Sequence, residues 1–329
     1  MKRSLFIVLL ASIIFGLNAE VWALDKLIFG TPMPSGKVVP LIVAKESGMF
    51  EKYGLDVDIK YFNSGTMATT ALVAGSVAIS CSGGADAIQA MLGGADIVII
   101  SGIFNYVDGQ IVSAKDITKP EQLKGKVIGI SAFGANSEFQ VKTALKQFGL
   151  VPGKDVTLFQ VGAPTQRLAA LEAGSVQATI QEPPQNLMAK KMGMNILIDL
   201  LDLKIPAQMI VIATTRAFAE KSSDVVEKFL KGLVAGIHYM RTHKSETIEM
   251  MRKSMKINDM AALEETYKAV LIKGVPEKPY ASVSGVQVLL DWIEEKNPKA
   301  KTAKAEKMVE SKFINQLDSS GFIDGLYKK

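Results

Sequence analysis

The stretch Lys126–Glu138, KVIGISAFGANSE, predicts a buried strand, a loop of small residues and the start of a helix. Val127, Ile128 and Ile130 form a short apolar run typical of a strand covered on both faces. Residues 133–137 are too rich in small and polar types to continue the strand, and a helical i, i+3, i+4, i+7 pattern follows. A helix start has free N–H groups and a positive dipole end. The loop therefore predicts a site for an anion or a polar oxygen.

The composition predicts a globular chain with two domains. Of the 329 residues, 48 % are hydrophobic and 22 % are charged, which is enough apolar material for sizeable cores. The formal net charge of +5 is spread along the chain and gives no reason to expect a nucleic-acid partner. The lone Cys81 excludes an internal disulfide and a thiolate metal cluster, and we expect it to be buried.

Residues 1–23 have the pattern of a secretory signal peptide. Lys2 and Arg3 precede the apolar run Leu5–Leu17, which is short for a membrane span. Val21 and Ala23 place small residues at −3 and −1 before Leu24. We therefore expect cleavage before Leu24 and export to the periplasm. Since the segment carries two bases and one acid, the mature chain keeps a net charge of +4.

An internal repeat with an offset of about a hundred residues organises the chain. Lys26–Gly30 parallels Lys126–Ile130, and Leu72–Ala78 parallels Leu171–Ala178. Each copy alternates strands with helices, and glycines mark the helix ends. Such alternation predicts parallel sheets with helices on both faces. We therefore predict an α/β chain of two similar doubly wound lobes whose strand ends face each other.

Two extended runs are expected to connect the lobes as a two-strand hinge. They are residues 103–123, which include Gln110–Ser113, and residues 208–213. Lobe one would then begin in residues 24–107, lobe two would occupy 108–207, and 208–329 would return to lobe one and add C-terminal helices. Amphipathic patterns predict one helix that begins at Ser222 or Ser223 and another over 286–293.

Four segments resemble the nitrate/sulfonate/taurine/thiamine-pyrimidine group of ABC-transporter substrate-binding proteins: Pro40–Phe50, Tyr53–Val57, Leu168–Gly174 and Glu182-Pro183. The resemblance covers nearly all of the chain after residue 23. It implies a type II periplasmic-binding-protein fold, a small polar organic ligand between two lobes, and delivery to an ABC permease in the inner membrane. Nitrate, alkanesulfonates, taurine, aromatic acids and pyrimidines all stay open as ligands. We expect a monomer without a cofactor or a metal ion.

Candidate ligand-binding residues lie where strands end and helices begin, because hydroxyls and helix N–H groups suit an oxygen-rich ligand. The predicted set is Pro34, Ser35, Ser64, Gly65, Thr66, Ser82, Gly83, Asn105, Phe133, Gly134, Ala135, Asn136, Gln160, Gln181 and Glu182. Each polar member has the alternative role of a helix cap, and Asn105 has the alternative of packing in the core. Arg167 is open in the same way between an exposed side chain and a partner for an anion.

Glu182 separates the ligand classes. In the cleft its carboxylate would repel a bare anion and attract an ammonium, an amidine or a ring N–H. At a helix start it would only favour the helix. We therefore predict a ligand that carries a hydrogen-bond donor besides any acidic group, such as a zwitterion or an aminopyrimidine.

The sequence favours a binding protein over an enzyme. It contains neither a Gly-x-Ser-x-Gly nucleophile elbow nor a phosphate-binding loop. Two alternatives stay open: a periplasmic sensing module for a separate membrane receptor, and a type II-fold lyase or thiamine-pyrimidine synthase-like enzyme. The single cysteine argues against the synthase, since the resemblance implies a Cys-rich motif for that activity.

Overall fold

The computed structural model describes residues 23–272 and 274–328, which form two mixed α/β sheets flanked by helices. The predicted signal peptide lies outside these residues, apart from Ala23. The strands are β1 (Asp25–Pro32), β2 (Leu55–Phe62), β3 (Ile79–Gly83), β4 (Ile97–Tyr106), β5 (Gln110–Ser113), β6 (Val127–Ile130), β7 (Thr157–Gln160), β8 (Ala178–Gln181), β9 (Asn195–Asp199) and β10 (Pro206–Thr215).

Helices connect these strands and cover both faces of each sheet. The α-helices are α1 (Val39–Glu46), α2 (Met49–Lys52), α3 (Gly65–Val73), α4 (Gly84–Leu92), α5 (Asn136–Gln147), α6 (Pro164–Glu172), α7 (Gln185–Lys191), α8 (Arg216–Lys221), α9 (Ser223–Thr242), α10 (Lys244–Met255), α11 (Met260–Thr266), α12 (Val283–Glu294), α13 (Ala305–Met308), α14 (Lys312–Ser319) and α15 (Phe322–Tyr327). Short 3-10 segments span Gly36–Val38, Pro120–Leu123, Leu200–Leu203 and Pro298–Thr302, and a π-helical segment spans Tyr267–Ile272.

The two sheets repeat one plan, as the internal repeat predicts. The first sheet has the order β2-β1-β3-β10-β4 and the second has the order β7-β6-β8-β5-β9. In each, a central strand lies parallel to two neighbours: β1 to β2 and β3, and β6 to β7 and β8. The prediction of two similar α/β lobes is therefore confirmed. We refer to the lobe of the first sheet as lobe one and that of the second sheet as lobe two.

Neither sheet is wholly parallel, so that part of the prediction is wrong. β10 runs antiparallel to β3 and β4, and β5 runs antiparallel to β8 and β9. The reason is the route of the chain. The chain enters β5 and β10 directly from the other lobe. It therefore starts each of these strands at the sheet edge where the parallel strands end, and the strand runs antiparallel to them.

The segments that cross between the lobes are shorter than expected. Gln110–Ser113 is a strand of the second sheet, and residues 208–213 lie inside β10 of the first. The connections are residues 107–109 and 200–205, which we call the crossing segments. They lie side by side, because Val107 N–H donates to the Ile205 carbonyl at 2.9 Å and Leu200 N–H donates to the Gly109 carbonyl at 2.9 Å.

Lobe one has an aromatic centre beneath its C-terminal helices. The rings of Phe29 and Phe50 stack on Phe229 of α9, with centroids 5.3 Å and 5.1 Å from it. All three side chains are fully buried, and each contributes about 2 kcal/mol through its burial. The amphipathic helices predicted from Ser222 and over 286–293 are α9 and α12, and both pack on lobe one. Across residues 23–272 and 274–328, no helix combines the length and the apolar character needed to span a bilayer.

Candidate functional site

The ends of the parallel strands of both sheets face the space between the lobes. The stretch Lys126–Glu138 folds as predicted, with β6 ending at Ile130 and α5 beginning at Asn136. The Asn136 side chain extends from α5 to lobe one. Its Oδ1 accepts a hydrogen bond from Ala85 N–H at 3.0 Å, and its Nδ2 donates to the Met209 carbonyl. This asparagine therefore joins the start of α4 to β10 across the cleft.

Gly83 makes this approach possible. A Cβ atom at position 83 would lie 2.6 Å from Cγ of Asn136, too close for a stable contact. Lobe one therefore carries a notch, formed by Gly83, the Ala85 N–H and the Met209 carbonyl, into which Asn136 fits. Two predicted site residues, Gly83 and Asn136, therefore lie next to each other here.

A buried ionic network lies at the centre of the cleft. The Lys37 ammonium is 2.9 Å from Asp108 Oδ1 and 2.9 Å from Glu182 Oε1, and Lys37 is only 7 % exposed. Gln140 Nε2 donates to the Asp108 carbonyl at 2.7 Å and to Glu182 Oε1 at 3.3 Å. We call these four residues the interlobe network, because they come from lobe one, a crossing segment and lobe two.

The interlobe network keeps its charges through mutual pairing. Burial alone would lower the pKa of Lys37, but attraction to Asp108 and Glu182 outweighs it and raises that pKa. Burial would likewise raise the pKa of Glu182, but Lys37 and Arg167 together hold it below its ordinary value. The pKa of Asp108 is raised, since desolvation and the nearby Glu182 charge exceed the attraction of Lys37. The network is thus one buried cation shared between two carboxylates.

Another acidic residue, Asp86, accepts hydrogen bonds at the starts of α3 and α4. Asp86 Oδ2 accepts from Gly83 N–H at 3.0 Å, and Asp86 Oδ1 accepts from Thr66 Oγ1 at 2.6 Å. Burial raises the pKa of Asp86 to about 6, although both hydrogen bonds act in the opposite direction. Gly65 gives room for this carboxylate, since a Cβ there would collide with it. The acceptors for these helix starts are therefore supplied by the chain itself.

A second contact between the lobes joins α5 of lobe two to α12 of lobe one. Glu138, 1 % exposed, accepts from Gly134 N–H at 2.6 Å and lies 2.8 Å from the Lys296 ammonium. The Phe139 and Trp292 rings are 5.1 Å apart. Burial would raise the pKa of Glu138, but its hydrogen bonds with Gly134 and the neighbouring lysines keep it below its ordinary value. We call this contact, formed by Glu138, Phe139, Trp292 and Lys296, the clasp.

Three open spaces lie along the seam between the lobes. A cavity of about 630 Å³ lies beside the crossing segments and is lined by both lobes, including Asn105 and Asp108. A cavity of about 370 Å³ lies between α4 and the clasp and includes Thr66 and Gly134. A groove of about 1260 Å³ runs between α5 and α12. The interlobe network and Asn136 bridge the two lobes between the first two of these spaces.

For the other predicted residues the structure gives local contacts or a position, and their part in ligand binding stays a prediction. Ser64 caps α3 by accepting from Met67 N–H at 3.2 Å, and Gln181 donates to the Pro164 carbonyl at 3.0 Å inside lobe two. Gln160 is exposed at the end of the edge strand β7. The remaining positions are Pro34 and Ser35, half-buried just before Lys37, Ser82, buried in β3, Ala135, at the N-cap of α5, and Phe133, 55 % exposed in the loop before α5.

Arg167 contradicts one of its two predicted roles, and its role as a partner for an anion stays a prediction. Its side chain is buried, so the prediction of an exposed residue is wrong. The guanidinium donates to the Ile180 carbonyl at 3.1 Å and 3.2 Å and to the Gly162 carbonyl at 2.8 Å, which joins α6 to β8. Its charge also lowers the pKa of Glu182, as described above.

Sequence reasoning missed four charged residues and one amide of the cleft: Lys37, Asp86, Asp108, Glu138 and the neutral Gln140. A usable signal existed for Lys37, which directly follows the predicted site residues at the end of the first strand. Asp86 similarly lies three residues after Gly83, at the position where an acidic side chain supports a helix start.

Comparison with known proteins assigns the chain to a family. The model of the family described as NMT1/THI5 like matches residues 35–247. The chain belongs to the NMT1/THI5-like family. A relative from Brachyspira hyodysenteriae, named as a putative ABC transporter periplasmic binding protein, is 28 % identical over 209 residues. That match covers 59 % of this chain and 60 % of the relative's own length.

Solved structures share the fold of this chain at low sequence identity. A protein from Bordetella bronchiseptica has a TM-score of 0.80 and 19 % identity, with 90 % of this chain and 98 % of that chain covered. The alkanesulfonate-binding protein SsuA from Xanthomonas axonopodis, bound to MOPS, has a TM-score of 0.73 and 18 % identity, with 88 % and 99 % covered. The predicted two-lobe periplasmic-binding-protein fold is therefore confirmed.

Proposed function

We propose that this family member is the substrate-binding protein of an ABC import system. It captures a small polar organic ligand between its lobes and delivers it to a permease in the inner membrane. Residues 1–23 direct it to the periplasm, where it acts as a monomer. The name of the Brachyspira relative and the fold shared with a sulfonate-binding protein support this proposal.

One observation above all supports a capture mechanism. Polar side chains of both lobes meet across the cleft, and only two short segments connect the two lobes along the described chain. Crossing segments 107–109 and 200–205 lie side by side, and the clasp adds a separate contact between the lobes. Closure then needs rotation about the crossing segments only. A ligand favours the closed form through the contacts that it makes with both lobes at once, which one lobe alone cannot offer.

An enzymatic role has less support from the candidate residues. Cys81 lies in β3 close to the cleft, but it is buried, and desolvation raises the pKa of its thiol to about 12. At neutral pH this thiol stays protonated, whereas nucleophilic cysteines need a lowered pKa. The interlobe network likewise pairs its carboxylates with Lys37 instead of leaving one ready to accept a proton.

A ligand screen by thermal unfolding tests the proposal. The compounds are nitrate, alkanesulfonates, taurine, aromatic acids and aminopyrimidines, with calorimetry on each hit. A ligand that binds only the folded state at a hundred times its Kd raises the free energy of unfolding by about 3 kcal/mol. Saturable binding without turnover supports the proposal, whereas chemical conversion of a bound compound contradicts it.

Export is tested separately. Mass spectrometry of the protein from a periplasmic extract should give a chain that begins at or near Leu24. A product that retains Met1 and stays with the membrane fraction would contradict the predicted signal peptide.

A further inference from the structure

The cavity beside the crossing segments, which we call the hinge cavity, has features that point to a specific class of ligand. It occupies about 630 Å³, within the range of small-molecule sites. Both lobes line it: Phe104, Asn105 and Tyr106 come from β4, while Pro183, Asn186 and Asp199 come from lobe two. We propose that the hinge cavity binds an organic cation, an amine or amidine attached to an apolar or aromatic body. This inference rests on the proposed function.

The walls of the hinge cavity suit an apolar body. Phe104 and Tyr106 lie at the end of β4, and Pro183, Leu187 and Val275 add apolar surface. Tyr106 is exposed, so its ring faces solvent in the absence of a ligand. Aromatic faces attract ammonium and amidinium groups electrostatically, in addition to the contact that they offer to a flat ligand.

The charges that line the cavity are mostly negative. The described lining contains four acidic residues and one basic residue. The basic residue is Arg241, and the acidic ones are Asp108, Asp199, Glu265 and Glu277. Arg241 donates to the Val275 carbonyl and is 4.0 Å from Glu277. The formal charge of the lining is therefore −3. Such a lining raises the local concentration of cations and lowers that of anions.

Asp199 is the carboxylate best placed to bind a ligand cation. Its described hydrogen-bond partners are neutral: Gln110 Nε2 at 2.6 Å and Leu201 N–H at 3.0 Å. Asp108 differs, because it shares Lys37 with Glu182. Deeper in the same wall, Asn105 Oδ1 is buried and has no hydrogen-bond partner among the described residues. The cavity thus offers carboxylate and amide oxygens as acceptors for a ligand cation.

Three of the donors in the seam that could hold a bare anion are already used, whereas the buried Arg241 Nε has no hydrogen-bond partner among the described residues. Lys37 is bound by two carboxylates, the Arg167 guanidinium by two carbonyls, and Ala85 N–H by Asn136. An anion that binds at Lys37, Arg167 or Ala85 N–H would have to break one of these contacts, whereas a cation meets the carboxylates of the lining. Selection against anions is therefore built into the same charges that select for a cation.

A matched set of probes tests the inference by calorimetry. The set is phenethylamine, 2-phenylethanol and phenylacetate, which are cationic, neutral and anionic with the same ring. We expect phenethylamine to bind, 2-phenylethanol to bind more weakly and phenylacetate not to bind. Phenethylamine affinity should also fall as salt is raised, because the attraction is electrostatic.

Two variants locate the binding site. Asp199→Asn should weaken phenethylamine about tenfold, since a hydrogen bond to a charged group is worth about 1.5 to 3 kcal/mol. Glu265→Gln at the exposed rim should weaken it about twofold. The matched control is Glu264→Gln, because Glu264 pairs with Lys244 at 3.6 Å outside the cavity and should leave affinity unchanged. Urea unfolding of each variant without probe shows whether it folds like the parent.

The outcomes separate this inference from the proposed function. Preferential binding of phenylacetate or of a sulfonate, with no effect of Asp199→Asn and Glu265→Gln, overturns the cation site and leaves the proposed function standing. An equal loss of phenethylamine affinity in the Glu264→Gln control also overturns the cation site, since the effect would then come from net charge alone. If no compound of any charge binds, in this set or in the wider screen, both fail.

Discussion

Asn136 carries more of the contact between the lobes than any other neutral side chain described above. Through one carboxamide it pairs a donor and an acceptor of lobe one, Ala85 N–H and the Met209 carbonyl. Both groups would be left to water when the lobes separate. The residue therefore acts on the equilibrium between open and closed forms, and it needs no direct contact with the ligand to affect affinity.

Replacing Asn136 with Ala should weaken ligand binding up to about thirtyfold, because two hydrogen bonds of roughly 1 kcal/mol each are lost from the closed form. Calorimetry with a ligand identified in the screen measures this. Asn136→Asp provides a graded comparison: it keeps the acceptor for Ala85 N–H but loses the donor to the Met209 carbonyl. Parent-like affinity in both variants would show that Asn136 is not part of closure.

Glu182 has a different role from the one its position in the sequence suggested. We predicted that its carboxylate acts on the ligand or supports a helix, and the structure pairs it with Lys37 across the cleft at 2.9 Å. Whether it also faces a ligand stays a prediction. Glu182→Gln should weaken ligands of either charge alike, about tenfold, because it reduces a charge-assisted hydrogen bond between the lobes.

The control for this prediction is Glu172→Gln, an exposed glutamate of α6. If Glu182→Gln weakens cations alone and leaves simple anions unchanged, the carboxylate contacts the ligand directly, and the interlobe pair matters less than we infer.

At the scale of elements, Asp86 makes the start of α4 sensitive to pH. Its pKa in the folded chain is about 6, above the value of 3.8 expected when unfolded. Between these two values the folded form holds the proton more tightly. Stability from this group is therefore greatest at low pH and is lost as pH rises from about 4 to about 6. At roughly 1.4 kcal/mol per pKa unit, the loss is of the order of 3 kcal/mol.

Urea unfolding at pH 4 to 7 of the parent and of Asp86→Asn measures this component. The difference in stability between the two proteins should shift in favour of the variant as pH rises through this window. A constant difference across the window would mean that Asp86 does not titrate there.

Helix α9 lies unusually close to α1. A Cβ at Gly236 would be 2.6 Å from Cβ of Ala44, while a Cβ at Gly325 in α15 would meet no atom within 4 Å. Gly236→Ala should therefore destabilise the fold by about 1 to 3 kcal/mol through overpacking, although alanine favours helices. Gly325→Ala is the matched control and should be neutral or stabilising by up to about 1 kcal/mol. Chemical unfolding of both proteins measures these values, and equal behaviour would refute the close packing.

For the whole molecule, the clasp offers an optical signal of closure. The chain has two tryptophans, Trp22 and Trp292, and the first lies in the predicted signal peptide. In the mature chain Trp292 is then the sole tryptophan, against Phe139 of lobe two. We expect ligand to change its fluorescence with the same midpoint as calorimetric binding. Phe139→Ala should abolish most of this change, and an unaffected signal would place the reporter elsewhere.

The architecture was largely predictable from sequence because its signals are local. Runs such as Val127–Ile130 and the pattern that begins at Asn136 fix strands and helices within a few turns, and repetition of the pattern indicates two lobes. The central contacts are not local. Lys37 meets Asp108 and Glu182, which are 71 and 145 residues away along the chain, and nothing in periodicity links them. The antiparallel strands β5 and β10 depend in the same way on the route of the chain between lobes.

The position of β10 also fixes the order in which the molecule can be completed. Lobe two is built from one continuous stretch, residues 110–199, whereas lobe one needs β10 between β3 and β4. A chain emerging from the ribosome therefore has no finished first sheet until all of lobe two has been synthesised. Until then β3 and β4 lack their shared neighbour, and this late, long-range pairing is slow to form. If the chain is exported as we propose, this delay would help to keep the nascent protein unfolded until it has crossed the membrane.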